Sequence, residues 1–456
     1  MLAQLASPFR LWGAVTEILP GRIEVSGISH AVGIGDSVVI EKPGQSLLGE
    51  VMTVTGTTVK VLMFSSTEAA RIGDRAYVSQ HDQIEIGDHW LGALVNYRGE
   101  VQMRRAPADP SAPRVKVPLQ RQALLPADRK PLGARLSTGL NVTDTLLPIC
   151  RGQRMGLFAG SGVGKSTLLG KLAGRMSADR IVIALIGERS REVQEFIDEV
   201  LPAEVLPKTT VIAATANEPP GAKKRAAFCA MAAAEYYRDQ GHSVLFLFDS
   251  LTRFAEAHRE TALLAGETPA LNAYPPSTVR VVSELAERTG PVSKTGGDIT
   301  AIFSVLVAGS DFEEPVADMV RGILDGQIVL SRNIAERGRY PAIDVLRSVS
   351  RSLPKAASDA QNEALNLFRR LLTTYDEIAP MVRAGLYEFG KDPNADVAYT
   401  LFPDLDRYLT ENSDGIETAF DYLNGLMVPA RAGGAPLEAA QEQVLAGNGP
   451  EAGGVG

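Results

Sequence analysis

The segment from Phe158 to Thr167 has the residue types and spacing of a phosphate-binding loop. The apolar run ending at Phe158 predicts a buried strand, and Leu168–Ala173 predicts a helix. A glycine-rich turn between strand and helix leaves backbone N–H groups free to hold phosphate oxygens at the positive helix end. We expect Lys165 to reach the β- and γ-phosphates and Ser166 to bind Mg²⁺. The expected nucleotide-binding residues are Gly160, Ser161, Gly162, Val163, Gly164, Lys165, Ser166 and Thr167.

The loop departs from the consensus G-x-x-x-x-G-K-[ST] at its first position, where Ala159 replaces glycine. A methyl group there disfavours a left-handed backbone more than it disfavours phosphate binding. The alternative is a glycine-rich turn without a ligand. The flanking strand and helix and the Lys-Ser-Thr ending argue against that alternative.

Asp249 ends a second apolar strand, Ser243–Phe248. A carboxylate at the end of a strand beside a phosphate-binding loop suits Mg²⁺, bound directly or through water. The same residue could instead cap a helix that starts near Leu251. The sequence therefore predicts Ser166 and Asp249 as the metal-binding pair.

Glu188 follows a third apolar strand, Arg180–Ile186. The carboxyl ends of strands in open α/β sheets face the crevice where ligands bind. A carboxylate there can polarise a water molecule for attack on the γ-phosphate. The alternative is a surface ion-pair cluster with Arg189 and Arg191, which would add little stability.

Three regions are expected to position these residues. Evenly spaced short strands from Leu11 to Val95 predict a small closed barrel or a sandwich. The strands predicted there are Trp12–Ile18, Arg22–Val25, Ser37–Glu41, Leu48–Val54 and Thr58–Leu62. Strands alternating with helices from Leu132 to Ser350 predict a parallel α/β sheet, with helices at Ala222–Asp239 and Ser277–Glu287. Helical spacing returns after Lys355. The helices predicted there are Ala357–Thr374, Asp376–Tyr387, Ala395–Leu409 and Ile416–Leu426.

Composition limits the class of protein. The 456 residues are 45% apolar and 22% charged, as in a soluble globular enzyme. A net charge of −8 gives no support for electrostatic binding of nucleic acid. The two cysteines, Cys150 and Cys229, have no metal-binding spacing, which favours a reducing compartment. No secretory signal or membrane span is recognisable, so we expect a cytoplasmic protein.

Further segments resemble the α/β-subunit family of the rotary ATP synthases. Residues 187–192 (Gly-Glu-Arg-Ser-Arg-Glu) are similar to its catalytic-subunit motif, and residues 217–222 read Asn-Glu-Pro-Pro-Gly-Ala, as in that family. Residues 341–350 satisfy the signature P-[SAP]-[LIV]-[DNH]-x-x-x-S-x-S. Within the family, residues 151–170, 323–332 and 335–346 resemble the ATPases of flagellar and type III protein export, and Ala159 is typical of that branch.

The resemblance implies a multidomain fold: an N-terminal small β-barrel, a central α/β RecA-like P-loop NTPase core with a mostly parallel sheet, and a C-terminal helical domain. The expected segments are a barrel domain 1–95, a connector 96–131, an ATPase domain 132–354, a helical domain 355–431 and a disordered tail 432–456.

The resemblance also implies roles for four further residues. Arg189 would assist Glu188 near the γ-phosphate, and Arg253 would contact the phosphates or a subunit interface. Tyr340 would stack on the adenine, although it could simply be a packed aromatic. Arg351 would be an arginine finger presented to the nucleotide of a neighbouring subunit, or else a solvated loop residue. The expected catalytic residues are Lys165, Glu188, Arg189, Asp249, Arg253 and Arg351.

The function implied is Mg²⁺-dependent ATP hydrolysis by a homohexameric ring that energises export of flagellar proteins. Implied partners are a regulator, stalk and gate proteins, chaperones and export substrates, at the inner face of the cytoplasmic membrane. The alternatives are an injectisome ATPase, a catalytic subunit of a rotary ion-translocating ATPase, or a scaffold that binds ATP without cleaving it. A RecA-like nucleic-acid translocase would need basic and aromatic platforms in the N-terminal region, which the sequence lacks.

Overall fold

The computed structural model describes residues 11–42, 44–79, 83–107, 109, 111–270, 274–293, 296–307 and 314–431. The predicted disordered tail, 432–456, lies outside the described residues. Contacts divide the chain into two compact units. The first unit comprises Met1–Gly133 with Arg151–Gln327, and the second comprises Ala134–Cys150 with Ile328–Gly456. The segment boundaries expected from the sequence remain a prediction.

The strands alternate with turns near the start of the chain and with helices farther on. In chain order they are β1 (Trp12–Leu19), β2 (Arg22–Ser26), β3 (Ser37–Lys42), β4 (Gln45–Val54), β5 (Thr58–Met63), β6 (Arg75–Ser79), β7 (Gln83–Ile86), β8 (Ala93–Val95), β9 (Val101–Arg104), β10 (Val115–Pro118), β11 (Arg135–Leu136), β12 (Ile149–Cys150), β13 (Arg154–Ala159), β14 (Arg180–Ile186), β15 (Thr209–Ala214), β16 (Ser243–Asp249), β17 (Gly290–Pro291), β18 (Asp298–Leu306), β19 (Gly326–Val329) and β20 (Val349–Ser350).

The α-helices lie mostly in the central and C-terminal parts of the chain. They are α1 (Asn141–Asp144), α2 (Lys165–Arg175), α3 (Ser190–Glu195), α4 (Pro220–Asp239), α5 (Leu251–Ala265), α6 (Ser277–Glu287), α7 (Pro315–Ile323), α8 (Arg332–Glu336), α9 (Asp359–Arg383), α10 (Pro393–Tyr408) and α11 (Ile416–Arg431). No helix within the described ranges is long and apolar enough to cross a membrane.

The N-terminal strands close into a barrel in the order β1-β2-β5-β4-β3-β6, which confirms the predicted barrel. Neighbouring strands are antiparallel, and alternate side chains fill the interior, for example Val59 and Val61 of β5. Strand β6 was not predicted. Its alternation is weak because Ala76 is fully buried whereas Val78 is only partly buried.

Ala93–Val95, which was predicted within the barrel region, belongs to the central sheet instead. Strand β8 pairs in parallel with β15, and β9 then pairs antiparallel with β8. The three-residue apolar run of β8 suits a strand at this position because two of its residues are buried. Strands β7 and β10 form a separate antiparallel pair.

The central sheet of the first unit runs in the order β13-β18-β16-β14-β15-β8-β9. All adjacent pairs from β13 to β8 are parallel, which confirms the predicted mostly parallel core. Strands β14, β15 and β16 are buried along almost their whole length, as expected of strands covered on both faces. The carboxyl ends of β13, β14 and β16 therefore meet at one edge of the sheet.

The second unit is largely helical, as predicted. Helix α9 begins with a capping box in which Ser358 and Gln361 exchange hydrogen bonds. The predicted break between two helices near Thr374 is wrong, because Leu371, Leu372 and Ile378 continue one buried face along α9. Tyr408 of α10 is buried, and its hydroxyl donates to the carbonyl of Ala419 in α11.

Candidate nucleotide site

The phosphate-binding loop has the predicted strand–loop–helix form. Strand β13 ends at Ala159, and α2 begins at Lys165. Gly164 precedes the helix with a left-handed backbone (φ 86°), and it has no side chain to occupy the first N–H groups of α2. Ser161, Ser166 and Thr167 are exposed at this end of the helix. Free N–H groups beside exposed hydroxyls form a site for an anion.

Ala159 is accommodated as the last residue of β13. Its side chain is buried, and the residue pairs in parallel register with Leu306 of β18. A strand residue has no need for a left-handed backbone, so alanine serves here as well as glycine. The departure from the consensus therefore leaves the loop intact.

Lys165 connects the two predicted carboxylates. Its Nζ lies 3.3 Å from Oε1 of Glu188, and it also forms an ion pair with Oδ1 of Asp249. The three side chains come from α2, from the residues after β14 and from the end of β16. Their exposed fractions are 12%, 19% and 4%, so the ion pairs lie largely out of water. Sequence reasoning placed these three residues in one site, and the structure brings them together.

Burial and the neighbouring charges shift both ionisable partners. Burial disfavours the ammonium form, but the Asp249 and Glu188 carboxylates outweigh it and raise the pKa of Lys165. Burial also raises the pKa of Glu188, and the Asp249 charge and a hydrogen bond with Glu192 add to the rise, while Lys165 opposes it. The hydrogen bond with Glu188 in turn lowers the pKa of Glu192.

Glu188 is positioned by the glycine before it. Gly187 has a positive φ of 77°, and a Cβ atom there would lie 2.9 Å from Cβ of Arg253. The N–H of Gly187 donates to the carbonyl of Ala214, and that of Ala216 donates to the carbonyl of Glu188. These bonds continue the pairing of β14 with β15, so Glu188 projects from a fixed backbone.

Ser304 is a site residue that sequence reasoning missed. Its hydroxyl lies fully buried in β18 and donates to Oδ1 of Asp249 over 2.5 Å. The sequence gives no local indication of this role, because the contact depends on β18 lying between β13 and β16 in the sheet. The bond fixes the orientation of the carboxylate that was predicted to hold Mg²⁺.

Asp249 is not the cap of α5. Ser250 occupies the cap position, and its side chain accepts a hydrogen bond from the N–H of Arg253. The alternative interpretation of Asp249 as a helix cap is therefore wrong. Its carboxylate instead faces Lys165 and Ser304.

Arg189 and Arg253 line the same cleft as the loop. Arg189 is 81% exposed and pairs with Glu192 at 2.9 Å, while Arg253 pairs with Glu256 at 2.8 Å. Both guanidinium groups thus have carboxylate partners within the chain. Their predicted contacts with phosphates require these partners to be exchanged.

The cleft over the loop has a volume of about 670 Å³, within the ordinary range for small-molecule sites. It is lined by Lys165, Ser166, Glu188, Arg189 and Arg253, together with Lys223 of α4. The charged side chains of the lining are balanced, since four cations face four glutamates, the other three being Glu192, Glu256 and Glu260. The backbone N–H groups at the start of α2 lie on the loop side. The cleft can hold a polyphosphate.

The donor set fits Mg²⁺ bound with a nucleotide. The described residues contain no cluster of three or more side chains that could hold a metal ion alone. Mg²⁺ characteristically keeps several waters and takes one or two protein ligands plus substrate phosphates. The exposed Ser166 and the carboxylate of Asp249 are the side chains that could hold it here.

The remaining predicted residues, Tyr340 and Arg351, lie in the second unit. Both are exposed, Tyr340 by 49%. In the signature between them, residues 341–350, two serine side chains form hydrogen bonds with backbone groups. Ser348 accepts from the N–H of Val329 and donates to the carbonyl of Asp344, and Ser350 donates to the carbonyl of Pro148. The two serines thus have a structural role.

Comparisons with known proteins give consistent findings. Residues 139–350 match the family model of the ATP synthase alpha/beta family, nucleotide-binding domain, and residues 357–426 match that of the T3SS EscN ATPase C-terminal domain. The chain is 41% identical over 414 residues to the flagellum-specific ATP synthase of Treponema pallidum, covering 90% of each chain. It is 38% identical to the flagellum-specific ATP synthase of Caulobacter vibrioides, covering 89% of this chain and 93% of that one.

Solved structures with the same fold are also found. The assembled ATPase EscN from the enteropathogenic E. coli type III secretion system has a TM-score of 0.83 and 35% identity, covering 91% of this chain and 100% of that chain. The same ATPase in complex with its central stalk EscO has a TM-score of 0.82 and 34% identity, with the same coverage.

Proposed function

Since this chain belongs to the ATP synthase alpha/beta family, together with the flagellum-specific ATP synthases, we propose that it hydrolyses ATP to energise export of flagellar proteins through a type III secretion apparatus. The observation that carries the proposal is the convergence of Lys165, Glu188 and Asp249 beside a free helix N-terminus. That arrangement has a cation for phosphate, a ligand for Mg²⁺ and a carboxylate for water.

In this proposal ATP binding exchanges the partners of Lys165. The backbone N–H groups at the start of α2 receive the phosphates, and the Lys165 ammonium turns from the two carboxylates to the β- and γ-phosphates. Asp249, still held by Ser304, and Ser166 would hold Mg²⁺. When bound, Mg²⁺ would neutralise part of the charge of the phosphates.

Glu188 acts as the general base. Once Lys165 has turned to the phosphates, the Glu188 carboxylate can accept the proton of a water molecule aimed at the γ-phosphate. Arg189 lies next to it in the chain and lines the same cleft, which supports a role near the same phosphate. Arg253 lies in the first turn of α5, and its side chain packs beside Gly187.

Each site is completed by an adjoining copy of the chain. Arg351 is exposed at the end of the motif 341–350 and serves as the arginine finger of the neighbouring subunit's nucleotide. Tyr340, exposed in the same unit, stacks on the adenine. A homohexameric ring is the assembly that this arrangement calls for, and the assembled state of the related EscN supports it.

We further propose partners and a location. The complex of EscN with its central stalk supports a stalk partner for this ring. A regulator, gate proteins, chaperones and export substrates would dock on the ring at the inner face of the cytoplasmic membrane. The flagellar assignment is favoured over the injectisome because the flagellum-specific relatives reach 41% identity, against 35% for EscN.

Two substitutions test the reaction, and a gene deletion tests the biological role. Lys165→Ala should abolish both tight ATP binding and turnover. Glu188→Gln should leave ATP binding largely intact while reducing kcat by about 10²–10⁴-fold. Undiminished hydrolysis by Glu188→Gln would end the assignment of the base.

A deletion strain should lose motility, and a deletion that leaves motility intact would contradict the flagellar role. A ring assembled from this chain alone would exclude the rotary catalytic subunit.

A further inference from the structure

A second cavity lies wholly within the second unit. Its volume is about 340 Å³, and it is formed by the segment from Ser331 to Arg347 together with α9 and α10. One wall is aromatic, because Tyr375 and Phe402 stack with ring centroids 3.5 Å apart and planes 8° from parallel. A flat apolar wall beside polar groups is typical of small-molecule sites.

Arg339 is the most buried cation of this cavity, with a side chain only 10% exposed. Its Nε lies 3.4 Å from Oδ1 of Asp406, and its Nη2 donates to the carbonyl of Ile343 over 2.8 Å. Its Nη1 is buried and has no hydrogen-bond acceptor among the described residues. A buried N–H group without an acceptor is costly, so this atom is poised to receive an acceptor from a ligand.

The charges around the cavity leave cations in excess. Its lining has four arginines (Arg337, Arg339, Arg347 and Arg383) against three aspartates (Asp344, Asp376 and Asp406). Two of the aspartates already have partners, since Asp406 pairs with Arg339 and Asp344 accepts from the N–H of Arg347. Arg383 donates to a carbonyl of its own helix, that of Ala379.

The like charges also act on one another. Burial lowers the pKa of Arg339, the Asp406 and Asp344 carboxylates counter this, and the positive charge of Arg337 lowers the pKa further. An anion placed between the two guanidinium groups would relieve both the repulsion and the unpaired Nη1. Planar guanidinium groups bind the oxygens of phosphate and carboxylate with particular strength.

We propose that this cavity binds a small oxyanion, a phosphate or a carboxylate group, through Nη1 of Arg339 with Arg337 supplying further charge. The site is separate from the phosphate-binding loop in the sequence, and every residue that lines it belongs to the second unit. The ligand that carries the oxyanion is either a phosphorylated small molecule or a small carboxylic acid.

The test is isothermal titration of the full chain with sodium phosphate and, separately, with sodium succinate at constant ionic strength. The chain carries Lys165→Ala, so that phosphate binding at the nucleotide site is weakened. One saturable site is expected with phosphate, with succinate or with both, and the probe that binds identifies the source. Adding Arg339→Gln or Arg337→Gln should weaken this binding about tenfold or more.

Arg407→Gln in the same background is the matched control. Arg407 lies on α10, which forms part of the cavity, but its own side chain does not line it. The side chain is 59% exposed and pairs with Asp404. It should leave the affinity unchanged. Because Arg337 is exposed, its variant keeps the test valid even if Arg339→Gln perturbs folding. The proposal is overturned if neither probe binds, or if both cavity variants bind with the same affinity as the Lys165→Ala parent.

Discussion

Lys165 is the residue that holds the candidate site together. It carries one positive charge between two largely buried carboxylates, Glu188 and Asp249. Without it the carboxylates would repel each other in a poorly solvated cleft. The lysine thus neutralises two carboxylates within the chain. In the proposed reaction its positive charge turns to the phosphates of ATP instead.

Ser304 gives a prediction about orientation. Ser304→Ala removes the hydrogen bond to Oδ1 of Asp249, and partners that orient metal ligands are typically worth about 10–100-fold in metal affinity or activity. We therefore expect Ser304→Ala either to raise the Mg²⁺ concentration needed for half-maximal ATP turnover by about 10–100-fold or to lower kcat by the same factor. The measurement is kcat as a function of Mg²⁺ concentration.

Ser243→Ala is the control for that substitution. Ser243 is also buried, and its hydroxyl donates to Asp298 over 3.2 Å at the opposite end of the neighbouring strand β16. It should leave the Mg²⁺ dependence unchanged. Equal effects of the two substitutions would mean that Ser304 acts through general stability alone.

The raised pKa of Glu188 gives a prediction about pH. A general base works only when deprotonated, so kcat/KM should fall as the pH drops through the pKa of Glu188 in the free enzyme. Since that pKa is raised, the acid limb should lie above about 4.3, the ordinary value for a glutamate. The measurement is kcat/KM against pH over the acid range.

Glu192→Ala should move this limb to lower pH. Burial remains the main cause of the raised pKa of Glu188, but the hydrogen bond with Glu192 adds to it and would be lost. A limb that stays in place, or moves to higher pH, would show that Glu192 does not act on the base.

Most residues of the site could be predicted from the sequence, and the reason is geometric. Asp249 ends an apolar strand, Glu188 lies two residues beyond another, and Lys165 follows a third across the phosphate-binding loop. Parallel strands bring their carboxyl ends to one edge of the sheet. Ser304 could not be predicted, because its strand ends two residues later and its partner is set by sheet order. The residues Tyr340 and Arg351 came from the family resemblance alone.

At the level of elements, α2 must hold Lys165 in place, and it does so by close packing. Gly170 of α2 is buried against Val200, and a Cβ atom there would lie 2.7 Å from the carbonyl oxygen of Val200. The glycine therefore lets the helix approach that segment closely. The sequence shows the glycine but not what it touches.

Gly170→Ala should lower the free energy of unfolding by about 1–3 kcal/mol, as overpacking does. Gly322→Ala is the matched control, because Gly322 lies in α7 with nothing within 4 Å of its Cβ position. It should be neutral or stabilise by up to about 1 kcal/mol, through helix propensity. The measurement is the chemical unfolding midpoint of both variants. A stable Gly170→Ala would show that α2 can shift freely.

The elements were predicted best where the periodicity was long and unambiguous. Strand β14 and helix α6 have the bounds expected from the sequence. The short strand β6 was missed because its alternation is weak. Helix α9 was predicted as two helices although no residue that breaks a helix stands at Tyr375. The place of β8 in the central sheet depends on its pairing with β15, which is distant in the sequence, so local patterns cannot predict it.

At the level of the whole molecule, the proposed residues are shared between two units. The first holds the loop, Glu188 and Asp249, and the second holds Tyr340 and Arg351. The central claim is that a triphosphate bound to one chain is cleaved with help from Arg351 of an adjoining copy. Arg351→Ala should therefore lower turnover by roughly 10³–10⁵-fold while leaving nucleotide binding intact.

Complementation between two inactive variants tests this claim most directly. Lys165→Ala lacks a working nucleotide site but keeps Arg351, and Arg351→Ala lacks the finger but keeps the site. Each variant alone should be inactive, and co-assembled rings should regain ATP turnover at interfaces that join an intact site to an intact finger. Co-assembled rings that remain as inactive as either variant alone would contradict the shared site.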